Sequence, residues 1–193
     1  MMKEESIKAF PKAYSAINEA TLLSGFSMAS DVSACSLLRT LAASKPGGKF
    51  LELGTGTGLS TSWILDGMDE ASTLVSVDND AKFVAIAEAF LGNDNRLKLS
   101  ITDGGTWVKE NKGNKFDYIF ADTWHGKYLM LAEVLAMLEK GGIYIIDDML
   151  PQPNWLDGHA EKATNLIAYL EGREDLLLTK QVWATGIIIG VKK

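Results

Sequence analysis

The chain predicts an α/β fold on a doubly wound, mostly parallel sheet, and three observations carry that expectation. An apolar strand pattern ending at Leu53 runs straight into Gly54-Thr55-Gly56-Thr57-Gly58; strand and helix periods alternate after it; and acidic residues stand just past apolar runs, as Asp78, Asp122, Asp147 and Asp148 do. In an open parallel sheet such strand-end positions converge on the ligand crevice. Glycines at the first bend let a bulky ligand approach the main chain closely.

The N-terminal third reads as helical. Tyr14, Ile17 and Leu22 recur at helix spacing until Leu23-Ser24-Gly25-Phe26 breaks the pattern. Ser30-Asp31 can cap a second helix carrying Val32, Cys35, Leu38 and Leu41 on one face, and Lys45-Pro46-Gly47-Gly48 ends it. Phe50 to Leu53 is the first strand, with a helix from Thr57 through Met68; Thr73 to Val77 is the second, with a helix from Asp80 to Leu91. Arg96 to Ile101, Phe116 to Phe120 and Ile143 to Ile146 supply three more strands. Before the last of these, Leu129, Leu131, Val134, Leu135 and Leu138 form an amphipathic helix ending at Glu139-Lys140-Gly141-Gly142.

After Asp148 a proline- and glycine-punctuated loop, Pro151 to Gly158, leads to a helix over Ala160 to Leu170 and strands at Leu176 to Thr179 and Thr185 to Val191. Only Lys180 to Ala184 separate these two strands, too few residues for a helical crossover, so they are expected to pair antiparallel. A single domain spans residues 1–193, with an N-terminal helical extension over 1–45 and the core over 46–193.

Composition narrows the function. Hydrophobic residues are 47% and charged residues 23% of 193, ordinary for a packed domain. Twenty-five acidic against nineteen basic side chains give a net charge of -6, which argues against gripping a nucleic-acid backbone. No apolar run is long enough to cross a bilayer, and the first residues lack the pattern of a secretory leader. The lone Cys35 excludes an internal disulfide and agrees with a reducing cytoplasm; among Ala34, Leu37 and Leu38 it reads as a buried structural thiol.

The spacing Gly54-x-Gly56-x-Gly58 is not the dinucleotide pattern, because Leu59 stands where its last glycine would be, and it lacks the Gly-Lys-Ser/Thr ending of a phosphate loop. Asp78, twenty positions beyond Gly58, can accept both hydroxyl hydrogen bonds of a ribose, while Asp80 suits the cap of the next helix. Glu52 beside the turn would repel a pyrophosphate but could help hold a cationic amino acid moiety, directly or through water. That favours S-adenosylmethionine over NAD.

Phe50 to Gly58, Val77-Asp78 and Thr102-Asp103-Gly104 resemble the successive cofactor motifs of class I S-adenosylmethionine-dependent methyltransferases. More narrowly, Phe116-Asp-Tyr-Ile-Phe-Ala-Asp-Thr-Trp-His-Gly-Lys-Tyr128 and Gly141-Gly-Ile-Tyr-Ile-Ile-Asp-Asp148 resemble the small cation-dependent O-methyltransferases of catechol and caffeoyl-coenzyme A type. The resemblance runs from Met28 to the end. It implies a Rossmann-like seven-stranded sheet of order 3-2-1-4-5-7-6 with strand 7 antiparallel, an N-terminal lid, and a homodimer. It implies cofactor contacts from Met28, Glu52, Gly54, Thr55, Gly56, Gly58, Ser60, Asp78, Asp103, Gly104 and Asp122. Glu52 and the turn would serve the methionine end, Asp78 the ribose, and Asp103-Gly104 the adenine.

Three carboxylates crowded at adjacent strand ends repel one another in a dry site unless protonated or neutralised, so Asp122, Asp147 and Asp148 are expected to hold a divalent cation such as Mg2+. The chain departs from the family pattern twice: Asp147-Asp148 replaces Asp-Asn, and His125 replaces the lysine proposed as general base. An imidazole titrating near 6.5 can take that role, giving His125 and Asp122 as catalytic residues and Lys127 as an alternate base. Trp124, Trp155 and His159, with the Pro151 to Gly158 loop, could wall a pocket for a planar acceptor, while Trp107 and Trp183 suit the core or a subunit contact.

The expected function is S-adenosylmethionine-dependent O-methylation of a small phenolic or catechol-like acceptor. A metal-independent methyltransferase, an NAD-linked oxidoreductase and a non-catalytic nucleoside-binding protein are the alternatives.

Overall fold

The computed structural model describes residues 7, 9–152 and 155–193. Seven strands form one sheet of order β3-β2-β1-β4-β5-β7-β6. The strands are β1 Lys49–Leu53, β2 Thr73–Asp78, β3 Leu97–Ile101, β4 Phe116–Ala121, β5 Leu138–Ile146, β6 Leu176–Gln181 and β7 Ile187–Lys192. All pairings are parallel except those of β7, which runs antiparallel to both β5 and β6. The expected fold class, order and reversed last strand are all present.

The helices are α1 Tyr14–Ser24, α2 Val32–Ala43, α3 Leu59–Gly67, α4 Ala81–Leu91, α5 Gly104–Asn111, α6 Leu131–Ala136 and α7 His159–Glu171. They cover both faces of the sheet, which is why the central strands read as near-continuous apolar runs. On one face Phe50, Leu74, Tyr118 and Phe120 pack with Leu38 of α2 and Ile64 of α3. On the other, Leu51, Leu53, Ile119 and Ile146 pack with Val108 of α5, Val134 of α6 and Leu166 of α7. The pleat therefore sends Glu52, two residues from Phe50, to the α3 face. Asp31 caps α2 by accepting from the backbone N–H of Ser33 at 2.7 Å and of Ala34 at 3.3 Å, a device worth about 1 kcal/mol.

Four local expectations need correction. Leu22 does not face the core: it is 74% exposed, and Thr21 takes the inward position on α1, its hydroxyl donating to Thr57 Oγ1 at 2.7 Å. The helix after β1 begins at Leu59 rather than Thr57, because the left-handed Gly58 still belongs to the turn. Helix α6 stops at Ala136, and β5 starts at Leu138 and runs through Gly141-Gly142, with a shift of register against β4 between Phe116 and Tyr118. Helix α5 had no counterpart in the sequence reading. Its Gly104-Gly105 opening masks a short helix whose signals are Asp103, which accepts from Thr106 N, and the inward pair Trp107 and Val108.

Cys35 is buried as expected, and burial pushes its thiol well above the ordinary range. Trp107 is buried, and Trp183 is partly buried against the α2–α3 side of the core. Among the described residues no helix is long and apolar enough to cross a membrane.

Candidate active site

The carboxyl ends of β1, β2, β3 and β4 bring the glycine turn, Asp78, Asp103 and Asp122 to one edge of the sheet, at the point where strand order reverses. Gly54, with φ of 112°, donates its N–H to Val77 O at 2.8 Å; a Cβ there would stand 2.8 Å from Thr123 Cγ2 and 3.0 Å from Asp122 O. Gly56, with φ of 51°, donates its N–H to Asp78 Oδ2 at 2.8 Å, and Phe26 Cζ lies 2.8 Å from where its Cβ would be. No other residue type meets both demands without displacing its neighbours.

Beneath this turn lies a closed polar network. Glu52 is 0% exposed and accepts from Ser60 Oγ at 2.7 Å, Thr61 Oγ1 at 2.5 Å and Ser76 Oγ at 2.6 Å. Thr55 Oγ1 lies 2.5 Å from Ser76 Oγ. Burial pushes the Glu52 carboxyl up to about 7, with the three hydroxyl donors pulling the other way. The side chains of Glu52, Thr55 and Ser60, expected against the cofactor, thus face inward and brace the turn, in which Gly54 is partly exposed while Gly56 and Gly58 are buried. Thr61 and Ser76 complete the network and were missed; Thr61 falls next to Ser60 on the first turn of the helix and Ser76 breaks the apolar run of β2, and those were the available signals.

Asp78 spends one lone pair of each oxygen on backbone, Oδ2 on Gly56 N and Oδ1 on Asp80 N at 2.9 Å, which leaves one on each for a diol. Asp80 caps α4 by accepting from Lys82 N at 2.9 Å. Asp103 caps α5, accepting from Thr106 N at 2.8 Å, and that hydrogen bond holds its carboxyl below the ordinary range. Met28 is 66% exposed. Its loop neighbour Ser30 donates to Asp122 Oδ2 at 3.0 Å. The acceptor capacity left on Asp78 fits a ribose diol, and the glycines let Thr123, Phe26 and Ala87 pack directly on the turn beside it.

The acidic rim differs from expectation. Asp147 is buried, its Oδ1 accepting from Thr185 Oγ1 and, at 2.7 Å, from the Asp148 N–H. Asp148 takes a left-handed backbone with φ of 55°. Among the described residues no three His, Cys, Asp or Glu side chains are grouped so as to hold a metal ion, although the charges of Asp147 and Asp148 both act on Asp122. Asp147 turns inward onto Thr185, while Asp148 leaves the strand end with a left-handed backbone. Burial raises both Asp122 and Asp147 above the ordinary carboxylate range, and the positive charge that opposes this is Lys127. Lys127 itself is 5% exposed.

His125 is directed at the start of α5 rather than at this rim. Its Nε2 stands 3.9 Å from Asp103 Oδ2, and its ring fills the space a side chain on Gly104 or Gly105 would need. That placement puts the expected base beside the expected adenine contacts. His159 instead lies among aromatics: it stacks on Trp155 at 4.4 Å and 8°, its Nε2 is 3.0 Å from Tyr128 Oη, and Trp124 meets both rings edge-on. Lys162 Nζ lies 4.4 Å above the Trp124 ring. Burial, then Lys127 and Lys162, lowers the His159 imidazole from its ordinary value. Tyr128 and Lys162 had not been singled out; Tyr128 ends the motif that contains Asp122, and Lys162 lies three residues beyond His159 on α7. Part of the Pro151 to Gly158 loop, Pro153 and Asn154, lies outside the described residues.

A family model described as a methyltransferase domain matches residues 51–149. A probable caffeoyl-CoA O-methyltransferase 1 of Dictyostelium discoideum is 27% identical over 161 residues, covering 78% of this chain and 69% of that protein. Catechol O-methyltransferase B of Danio rerio is 30% identical over 112 residues, 53% of this chain and 42% of that protein. Among solved structures, the O-methyltransferase from Bacillus cereus in complex with SAH superposes with a TM-score of 0.84 at 16% identity, covering 98% of this chain and 94% of the other. With the glycine turn, the strand order and these matches in agreement, the chain belongs to the methyltransferase-domain family and is an S-adenosylmethionine-dependent methyltransferase.

Proposed function

We propose that this protein transfers the methyl group of S-adenosylmethionine to an oxygen of a small phenolic or catechol-like acceptor. The observation that carries the reading is the strand order, which sets the Gly54–Gly58 turn and Asp78, after β1 and β2, at the same sheet edge as the group Trp124, Tyr128, Trp155 and His159, after β4 and β5. When bound, S-adenosylmethionine supplies an electrophilic methyl group on a sulfonium.

In this reading Asp78 holds the ribose diol, the backbone of Gly54, Gly56 and Gly58 carries the amino acid end, and Gly104 with His125 borders the adenine. Thr55, Ser60 and Glu52 brace the turn from below. Trp124 and Trp155, each with one face already covered by Lys162 and His159, flank an aromatic acceptor with the surface that remains, a use of large rigid rings that costs little conformational entropy. Asp122, which accepts from Ser30, follows β4, the strand between β1 and β5. Alignment of the acceptor oxygen with the methyl carbon is then the main contribution of the protein.

Assistance by a divalent cation is the part of the expectation least supported by the carboxylate geometry. A cytoplasmic homodimer is part of the same proposal, and the exposed Leu22 and Leu23 on α1 offer apolar surface for a subunit contact. Calorimetry with S-adenosylhomocysteine tests the cofactor: micromolar binding is expected, and binding of NADH in its place would overturn the reading. Transfer of labelled methyl to catechols and phenols, with and without EDTA, then separates acceptor from metal requirement.

A further inference from the structure

We propose that Lys127 is the resident cation of this site: its ammonium, in place of a divalent metal, balances Asp122 and Asp147 and holds the acceptor oxygen as an oxyanion. The proposal rests on the methyltransferase reading of this edge.

Lys127 is one of the few buried charged residues, at 5% exposed, yet among the described residues its Nζ makes no ion pair within 4.0 Å and donates no hydrogen bond. A lysine buried along most of its side chain, with no direct partner for its ammonium, is favoured where neighbouring negative charge compensates it. Asp122 and Asp147 supply that compensation. Its charge holds down the carboxyls of Asp122 and Asp147 and the imidazole of His159. The nitrogen lies 5.9 Å from the centre of the Tyr128 ring.

The ammonium is not sealed in. Trp63 Nε1 is the one fully enclosed side-chain nitrogen or oxygen without a partner among the described residues, so the Lys127 nitrogen keeps contact with the water of the cleft. A lysine stem buried along its length and open at its tip is built to meet a ligand. The carboxylates, by contrast, are not arranged for an ion. Asp147 is committed to Thr185 and to the Asp148 N–H, Asp122 accepts from Ser30, and among the described residues no three acidic side chains are grouped to hold an ion. A divalent ion entering here would also be repelled by the ammonium.

The chemistry balances without a metal. The acceptor hydroxyl gives its proton to water and binds as an oxyanion against the ammonium. A lone pair on that oxygen forms the O–C bond while the C–S bond breaks, and its electron pair passes to sulfur, leaving a neutral thioether. Lys127 takes no proton in this step and acts by charge.

The test is a titration of the protein with Mn2+, followed by electron paramagnetic resonance, in the presence of S-adenosylhomocysteine. The wild-type protein is expected to bind no Mn2+ below about 1 mM. Lys127→Met is expected to bind it at least about tenfold more tightly, because Asp122 and Asp147 lose their counter-charge, while Lys127→Arg behaves as wild type. Submillimolar binding by the wild type overturns the proposal, and so does a Met variant that binds no more tightly. Lys127→Gln serves if the Met variant does not fold, and the wild-type titration decides without any variant. Binding of S-adenosylhomocysteine, measured in the same samples by calorimetry, tests the methyltransferase reading on its own.

Discussion

Gly56 donates its backbone N–H to Asp78 Oδ2 at 2.8 Å, so the turn after β1 is pinned to the end of β2. One carboxylate thus shapes the loop and presents the acceptors proposed for the ribose. Asp78→Ala should weaken S-adenosylhomocysteine binding by about 10- to 100-fold and lower stability by about 1–2 kcal/mol, since two backbone donors lose their partner. Calorimetry and urea unfolding measure the two effects; unchanged affinity would remove Asp78 from the cofactor.

Glu52 makes stability depend on pH. Its folded pKa, about 7, lies above the unfolded 4.5, so its contribution is fully present below 4.5 and is lost as pH rises through 7. The loss is on the order of 3 kcal/mol. Urea unfolding at pH 5 and pH 8 should show a loss smaller by that amount in Glu52→Gln than in the wild type, the raised carboxyls of Asp122 and Asp147 supplying what remains. A wild-type protein equally stable at both values contradicts the buried, hydroxyl-bound carboxyl.

His125 separates two roles cleanly. Loss of a general base costs about 10²–10⁴ in rate. Because its ring packs on Gly104 and Gly105, His125→Ala is expected to leave kcat within about threefold and its pH profile unmoved, while KM for S-adenosylmethionine rises. A collapse of kcat would restore it as base.

His159→Phe keeps a ring against Trp155 but removes the partner of Tyr128 Oη, 3.0 Å away in the wild type. About a tenfold rise in KM for the acceptor is expected, with S-adenosylhomocysteine affinity unchanged. The wild-type imidazole is held below its ordinary value, so its contribution to stability is present above about 6.5 and is lost as pH falls through the folded value. Acid titration of unfolding should show that loss in the wild type and not in the variant.

The strands were legible because a sheet covered on both faces writes continuous apolar runs such as Phe50-Leu51 and Tyr118-Ile119-Phe120. The glycine turn and Asp78 were legible for a related reason: backbone geometry there restricts residue type. Helix α5 was not, since its inward residues are only Gly105, Trp107 and Val108 behind a double glycine. Side-chain direction was the larger gap. Sequence places Asp147 and Asp148 side by side, but whether they converge depends on Thr185, thirty-eight residues away from Asp147, and on the backbone reversal at Asp148. In the same way His125 and Lys127 are two residues apart on one loop, and only packing against α5 and the rim separates their roles.

Strand β7 ends beside the start of β5, with Val191 opposite Ile143, whereas Ile188 lies opposite Ile146 near the acidic rim. The polypeptide therefore leaves the sheet at its floor. An affinity handle or surface tether joined after Lys193 would project away from the methyl-transfer edge, and the immobilised enzyme should keep its mouth free for both ligands.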